Sequence, residues 1–273
     1  MLEALRAPPL GDLVSWVEAL PADRAALERV HPARHLDALQ ALAATGGGPI
    51  DSDTYMGART WEAVAASAGV ALQAVTAALA SGTAFAATRP PGHHAEAERA
   101  MGFCFVNNAV VAARFAQASG AGQVLIVDWD VHHGNGTQAL IEADASIRYV
   151  SMHQYPWYPG TGAANERGVG NVFNLPRPPG LPRFRYVQDL LQGVEAAIAG
   201  WTPDLLLVSA GFDSLAGDPL GGFTLEPEDI ATWTSELRSR LPDCPFVAVL
   251  EGGYRLDLLA AGVRALVGAL AEA

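Results

Sequence analysis

"IVDWDVHHGNGT", residues Ile126–Thr137, decides how this sequence is read. It begins as a β-branched apolar run suited to a buried strand. Within a few residues it has collected two aspartates, two adjacent histidines and two glycines. Burying ionisable groups is costly unless they are paired or hold a cation. In a parallel α/β sheet, ligand sites lie beyond the carboxyl ends of the strands. A buried strand that ends in ionisable groups therefore predicts both that sheet and a site at its edge.

Working outward, the strand "QVLIVDW" (123–129) has four counterparts: "TAFAAT" (83–88), "IRYVSM" (147–152), "DLLLVSA" (204–210) and "PFVAVLE" (245–251). They are continuous rather than alternating in polarity, as expected of parallel strands covered on both faces. Apolar helical periodicity predicts helices over 61–82, 105–120, 186–200, 226–241 and 257–273. Alternating strand and helix implies a three-layer α/β fold with an open, mainly parallel sheet, expected as one domain over residues 1–273.

Composition narrows the function. The 273 residues are 50% hydrophobic, enough for one large core. No uninterrupted apolar run reaches the roughly 18–20 residues that span a bilayer. "MLEALRAPPLGDLVSW" lacks the pattern of a signal peptide, so a soluble cytoplasmic protein is expected, with no membrane partner. A net charge of −12 leaves no basic stripe for nucleic acid and mildly favours cationic substrates. Cys104 and Cys244 are too few for a disulfide scaffold or a thiolate zinc cluster, and both are expected as small buried side chains.

Each strand is followed by a polar, aromatic or glycine-rich loop: "RPPGHH", "DVHHGNG", "HQYPWYPGTG", "GFDSLAGDP" and "GGYRLD". Three of these loops hold five of the seven histidines. Asp130 and His132, spaced i, i+2, point to one side if the segment stays extended, with Asp128 in phase. A third ligand from another strand end, best supplied by Asp213, would complete a hydrolytic metal site with an open position. The plainer alternative is an Asp/His network capping the strand. His93 and His94 offer imidazoles for proton transfer near neutral pH, with Asp128 and Asn135 available to fix their tautomers. Tyr254 could donate a hydrogen bond to an oxyanion. It follows Gly252 and Gly253, which allow a close backbone approach. Phe103, Trp157 and Tyr158 suggest a tunnel for an aliphatic chain, with core packing the rival for Trp157.

These blocks, together with "GFCFVNNAVVAA", "SMHQYPWYPGTG", "SAGFDSLAGDPLGGF" and "EGGY", resemble the successive signatures of the histone deacetylase superfamily. That superfamily includes acetylpolyamine amidohydrolases and acetoin-utilisation-type proteins, and the resemblance runs from about His31 to the C-terminus. It implies an arginase-like sheet and one Zn2+ per chain held by Asp130, His132 and Asp213. His94 would be general base and then general acid; His93, paired with Asp128, would tune charge; Tyr254 would polarise the acetyl carbonyl. Gly102, Phe103, Tyr158, Leu220 and Gly252 would meet the substrate. Asp128, Asp130 and Ser151 match a structural potassium site.

Asn135 stands where the class I-like branch has aspartate, as in class II-like members, and leaves its histidine less basic. Leu220 stands where polyamine-specific relatives carry an acid, which favours acetyl-lysine over small acetylated amines. The usual early strand and "HPE-x-P-x-R" segment have no counterpart, which implies a misassigned start or a shorter form with a more open rim. Two other functions fit the same fold. A ureohydrolase would need more aspartates for two manganese ions. A silent module that binds acylated partners would commonly lack the tyrosine or a ligand, and both are retained here. His133 has no role beyond an expected structural one beneath the site.

Overall fold

The computed structural model describes residues 1–272. In chain order its elements are α1 (Leu2–Arg6), α2 (Arg24–Glu28), α3 (Ala33–Ala44), β1 (Gly47–Pro49), β2 (Tyr55–Gly57), α4 (Thr60–Ser81), β3 (Thr83–Ala86), α5 (Asn108–Ala118), β4 (Val124–Asp128), α6 (Asn135–Ile141), β5 (Ile147–Gln154), β6 (Val172–Arg177), α7 (Arg183–Ile198), β7 (Leu205–Ala210), α8 (Pro227–Arg240), β8 (Phe246–Leu250) and α9 (Leu256–Ala271). The main sheet runs β3-β8-β7-β4-β5-β6 and every pairing in it is parallel.

The three layers follow from the pleat. Leu125, Val127, Leu206, Val208, Ala248 and Leu250 face one core together with residues of α7, α8 and α9. The intervening Val124, Ile126, Leu205, Leu207, Val247 and Val249 face the other, against α4 and α5. Successive residues point to opposite faces, so a strand covered on both sides must be apolar throughout. Helix ends are set locally. Asn107 accepts from Val110 N at 2.9 Å and starts α5 three residues inside the predicted span. Glu226 and Asp229 form a reciprocal capping box on α8.

All five predicted strands and helices are present; the last predicted residue, Ala273, lies outside the described residues. Helices α1, α2, α3 and α6 lie outside the predicted spans, and three further features depart from the sequence expectation. The edge strand β6, "VFNLPR", went unread because Asn174 and Pro176 break the apolar run, and proline is tolerated at an edge. The β1/β2 hairpin is too short and glycine-rich to show a period. Helix α4 is long and apolar enough by length and composition to cross a membrane, although half of its most apolar window is buried inside the fold.

The topology places the site. From β4 the chain moves outward through β5 to β6, then returns to β7 on the other side of β4 and continues to β8. The strand order therefore reverses between β4 and β7, and their carboxyl ends flank the crevice where such sheets bind ligands. Leu207, fully buried on central β7, tests this core. Leu207→Ala is expected to lower unfolding free energy by about 2–5 kcal/mol in urea melts.

Candidate metal centre and active site

Strand β4 ends at Asp128, and the next residues turn rather than staying extended. Asp128 Oδ1 accepts from Asp130 N at 3.1 Å, and Asp130 Oδ1 accepts from His132 N at 2.9 Å. Two successive side-chain-closed turns thus bring Asp130 and His132 together. This corrects the i, i+2 argument: the convergence is real, but its cause is turn formation by the aspartates. Strand capping and the ligand cluster belong to the same residues.

Asp213, beyond β7, accepts from Val131 N through Oδ1 at 3.0 Å and presents Oδ2 at 3.1 Å from His132 Nδ1. Asp130 Oδ1 lies 3.1 Å from that same nitrogen. The ligand atoms of Asp130, His132 and Asp213 lie within 4.8 Å of one another, all buried. Burial and the Asp130 charge push the Asp213 pKa up, while His93 and His132 hold Asp130 down despite its burial. One imidazole proton cannot satisfy two buried carboxylates as well as a cation can, and two carboxylates with one imidazole are a donor set for a divalent metal. The residues fit such an ion.

Gly252, after β8, closes the cluster from behind. Its N–H donates to Asp130 Oδ2 at 2.8 Å. A Cβ at Gly252 would stand 2.3 Å from Asp213 Oδ2 and 2.6 Å from Asp130 Oδ2, so only glycine lets the backbone approach.

The two histidines of "RPPGHH" are buried beside this cluster, with ring centroids 4.0 Å apart. His93 Nδ1 lies 3.1 Å from Asp128 Oδ2, an oxygen that also accepts from the Tyr149 hydroxyl at 2.8 Å. His94 Nδ1 lies 2.8 Å from Asn135 Oδ1, while Asn135 Nδ2 donates to Glu96 Oε1 at 2.8 Å. Burial disfavours charge on both rings. For His93 the carboxylates of Asp130 and Asp128 outweigh burial and raise its pKa well above the usual value. For His94 burial is joined by repulsion from His93 and His132, and its pKa falls well below.

Gly102 and Phe103 form the tip of a tight hairpin closed by Met101 and Cys104, with φ of +55° and +66°. Positive φ at both central residues is the demand of a type I′ turn, and it is strained for phenylalanine. Thr54 holds the strained residue through its hydroxyl, which accepts from Phe103 N at 3.0 Å. The Cys104 thiol donates to the Gly102 carbonyl at 3.4 Å; Cys104 is buried as expected, Cys244 only partly. Tyr158 stands edge-on to His94 at 5.1 Å, and Phe103 packs edge-on to Tyr254 at 5.9 Å. Desolvation, Asp213 and Asp130 together raise the Tyr254 phenol pKa, so it stays protonated near neutrality.

Trp157 is exposed, and its indole donates to the Leu220 carbonyl at 3.0 Å; the core-packing alternative for it is set aside. Leu220 lies on the surface beside it. Ser151 is the register partner of Asp128, and its hydroxyl lies 2.9 Å from His153 Nδ1. His133 bridges Thr161 Oγ1 at 2.8 Å and Gln138 Oε1 at 3.0 Å, tying the Tyr158 loop to α6. Burial and neighbouring His153 push its pKa down to about 3, consistent with a neutral structural group.

Two carboxylates escaped the sequence argument. Asp218, in "GDP", accepts from Tyr254 N at 2.8 Å and Arg255 N at 3.2 Å through one oxygen, and from Leu220 N at 3.0 Å through the other. Glu251, in "EGGY", is buried, and desolvation pushes its pKa up to about 7. Both lie inside motifs where the sequence argument rests on Asp213, the glycines and Tyr254.

The family described as the histone deacetylase domain matches residues 1–270. The chain belongs to the histone deacetylase family. The match begins upstream of His31, from about which the sequence resemblance runs. Histone deacetylase 15 of Arabidopsis thaliana is 40% identical over 89% of this chain, which covers 46% of that protein. A probable deacetylase of Methanothermobacter thermautotrophicus is 39% identical over 84% of this chain and 71% of its own length. The histone deacetylase-like amidohydrolase of Pseudomonas aeruginosa is 39% identical over 86% of this chain and 65% of its own. The crystal structure of the HDA15 HD domain superposes with a TM-score of 0.94 at 36% identity, over 98% of this chain and 81% of that one.

The close approach at Gly252 gives a direct test. Gly252→Ala is expected to weaken divalent-metal binding at least tenfold, read by calorimetric titration with Zn2+ as the probe. Gly268→Ala, where a Cβ meets nothing within 4 Å on helix α9, is the control and leaves binding unchanged.

Proposed function

We propose that this protein is a zinc-dependent amidohydrolase that removes acetyl groups from N-acetylated amines, foremost acetyl-lysine of proteins or peptides. The observation that carries the proposal is the convergence of four different strand ends. Asp130, His132 and Asp213 face the imidazoles of His93 and His94, and the Tyr254 loop closes behind them through Gly252.

Zinc held by Asp130, His132 and Asp213 would supply Lewis-acid polarisation of the acyl carbonyl. The remaining chemistry belongs to side chains. Asn135 donates to Glu96 and so presents its carbonyl to His94, which places the His94 proton on Nδ1. Nε2 is left as a free lone pair that takes a proton from the attacking water and returns it to the departing amine. Burial keeps His94 neutral and ready for this. His93, held charged by two carboxylates, places positive charge beside the reacting centre. The protonated Tyr254 hydroxyl donates to the developing oxyanion. The Gly102–Phe103 hairpin and Tyr158 form the walls that guide a thin acyl-amine chain. A potassium ion held by Asp128, Asp130 and Ser151 belongs to the same proposal and would brace the ends of β4 and β5.

Leu220 supports the acetyl-lysine preference, because a leucine at that position gives no ion pair to a polyamine. One observation favours a second substrate class. Asp51 and Asp53 lie in one hydrogen-bonded turn close enough to Tyr158 to raise its phenol pKa, after burial. That acidic edge would attract the extra charges of an acetylpolyamine. The ratio of kcat/KM for an acetyl-lysine peptide over acetylspermidine decides between them: it exceeds one on the leading proposal, and a ratio below one transfers it to polyamines. For the mechanism, Tyr254→Phe is expected to lower kcat by about 10²–10³ with bound zinc unchanged. Unaltered turnover would remove Tyr254 from the reaction.

A further inference from the structure

Glu251 is a buried carboxylate that the proposed chemistry does not use, yet each of its oxygens is engaged by a different part of the site. Oε2 accepts from Gly92 N at 2.7 Å and from His93 N at 3.1 Å. Oε1 accepts from the Ser209 hydroxyl at 3.1 Å. Its own N–H donates to Ala210 O at 3.0 Å, which fixes the start of the side chain to β7. The neighbouring Gly252 N–H donates to Asp130, and the preceding Leu250 carbonyl accepts from the Thr88 hydroxyl at 2.5 Å. One residue at the end of β8 therefore touches the backbone of the histidine loop, the Ser209 end of β7 and, through its neighbour, a metal-ligating carboxylate.

The alternatives for the histidine loop are few. Gly92 and His93 carry buried backbone donors that must find acceptors. Glu251 supplies the acceptor for both from another strand, so loop position is set by the length of its side chain. We infer that Glu251 is a positioning residue: it fixes the His93–His94 backbone at the distance from the Asp130–His132–Asp213 cluster that proton transfer requires. This rests on the amidohydrolase proposal for its catalytic consequence, but not for its geometry. A misplacement of about 1 Å in a catalytic group can cost about 10²-fold in rate, so the length of the tether matters more than its charge.

Two substitutions separate length from charge. Glu251→Gln keeps the length: its carbonyl can accept from Gly92 and His93, and its amide can donate to the Ser209 hydroxyl. Glu251→Asp keeps the charge and shortens the tether. In the zinc-loaded full chain, Glu251→Asp is expected to lose at least tenfold in kcat, with KM and zinc per chain within twofold of wild type. Glu251→Gln should stay within threefold of wild type in all three. The imidazole proton–nitrogen NMR correlations of His93 and His94 give an arm that needs no substrate. They should shift in Glu251→Asp and hold their positions in Glu251→Gln. Equal losses in both variants would assign the effect to charge and overturn the inference. So would a loss that follows zinc content or folded fraction, or a Glu251→Asp protein with wild-type kcat and unmoved imidazole signals. Wild-type protein inert toward every acylated amine would instead sink the amidohydrolase proposal and leave the NMR comparison standing.

Discussion

Buried carboxylates held by backbone N–H groups are the constraint on which this site depends. Asp128 accepts from Asp130 N, Asp130 from His132 N and Gly252 N, Asp213 from Val131 N, and Glu251 from Gly92 N and His93 N. A carboxylate in an apolar interior is unfavourable unless such donors surround it. Each aspartate or glutamate therefore draws in the backbone of a neighbouring loop, and the loops after β3, β4, β7 and β8 become one floor. Satisfying the charges and building the site are the same event. Negative charge remains concentrated where Asp130 and Asp213 share one imidazole, and a divalent cation relieves that concentration.

The sheet was legible because its strands are covered on both faces. Continuous apolar runs such as "VLIVD" and "LLLVSA" need both cores to bury them, and alternate residues do divide between the two. The polar stretches after these runs point to the edge of the sheet where the buried Asp130, His132 and Asp213 converge. What stayed hidden was whatever breaks periodicity: Pro176 and Asn174 in the edge strand, and the glycines of the small hairpin. The hairpin nevertheless matters, since its turn delivers the Thr54 hydroxyl that stabilises Phe103 in a left-handed conformation. Long-range partners were hidden for another reason. Glu251 reaches Gly92 across 159 positions of sequence, a relation that no local spacing encodes.

The site also shows why adjacent histidines can differ. His93 and His94 share burial and a common backbone, yet a carboxylate faces one and an amide the other. Their pKa values move in opposite directions, which favours the charged form of one imidazole and the free base of the other within a single dipeptide. The carboxylates of Asp130 and Asp128 raise one, burial with His93 and His132 lowers the other, and Glu96 orients the amide that fixes the His94 tautomer.

The central claim is that one divalent ion, seated on Asp130, His132 and Asp213, makes this arrangement an amide hydrolase. Adding zinc stepwise to chelator-stripped protein, while following acetate release from an acetyl-lysine peptide, tests it most directly. Turnover should be absent without metal and rise linearly to a plateau at one zinc per chain. Full turnover in the stripped protein, or a plateau reached only at two ions per chain, would contradict it.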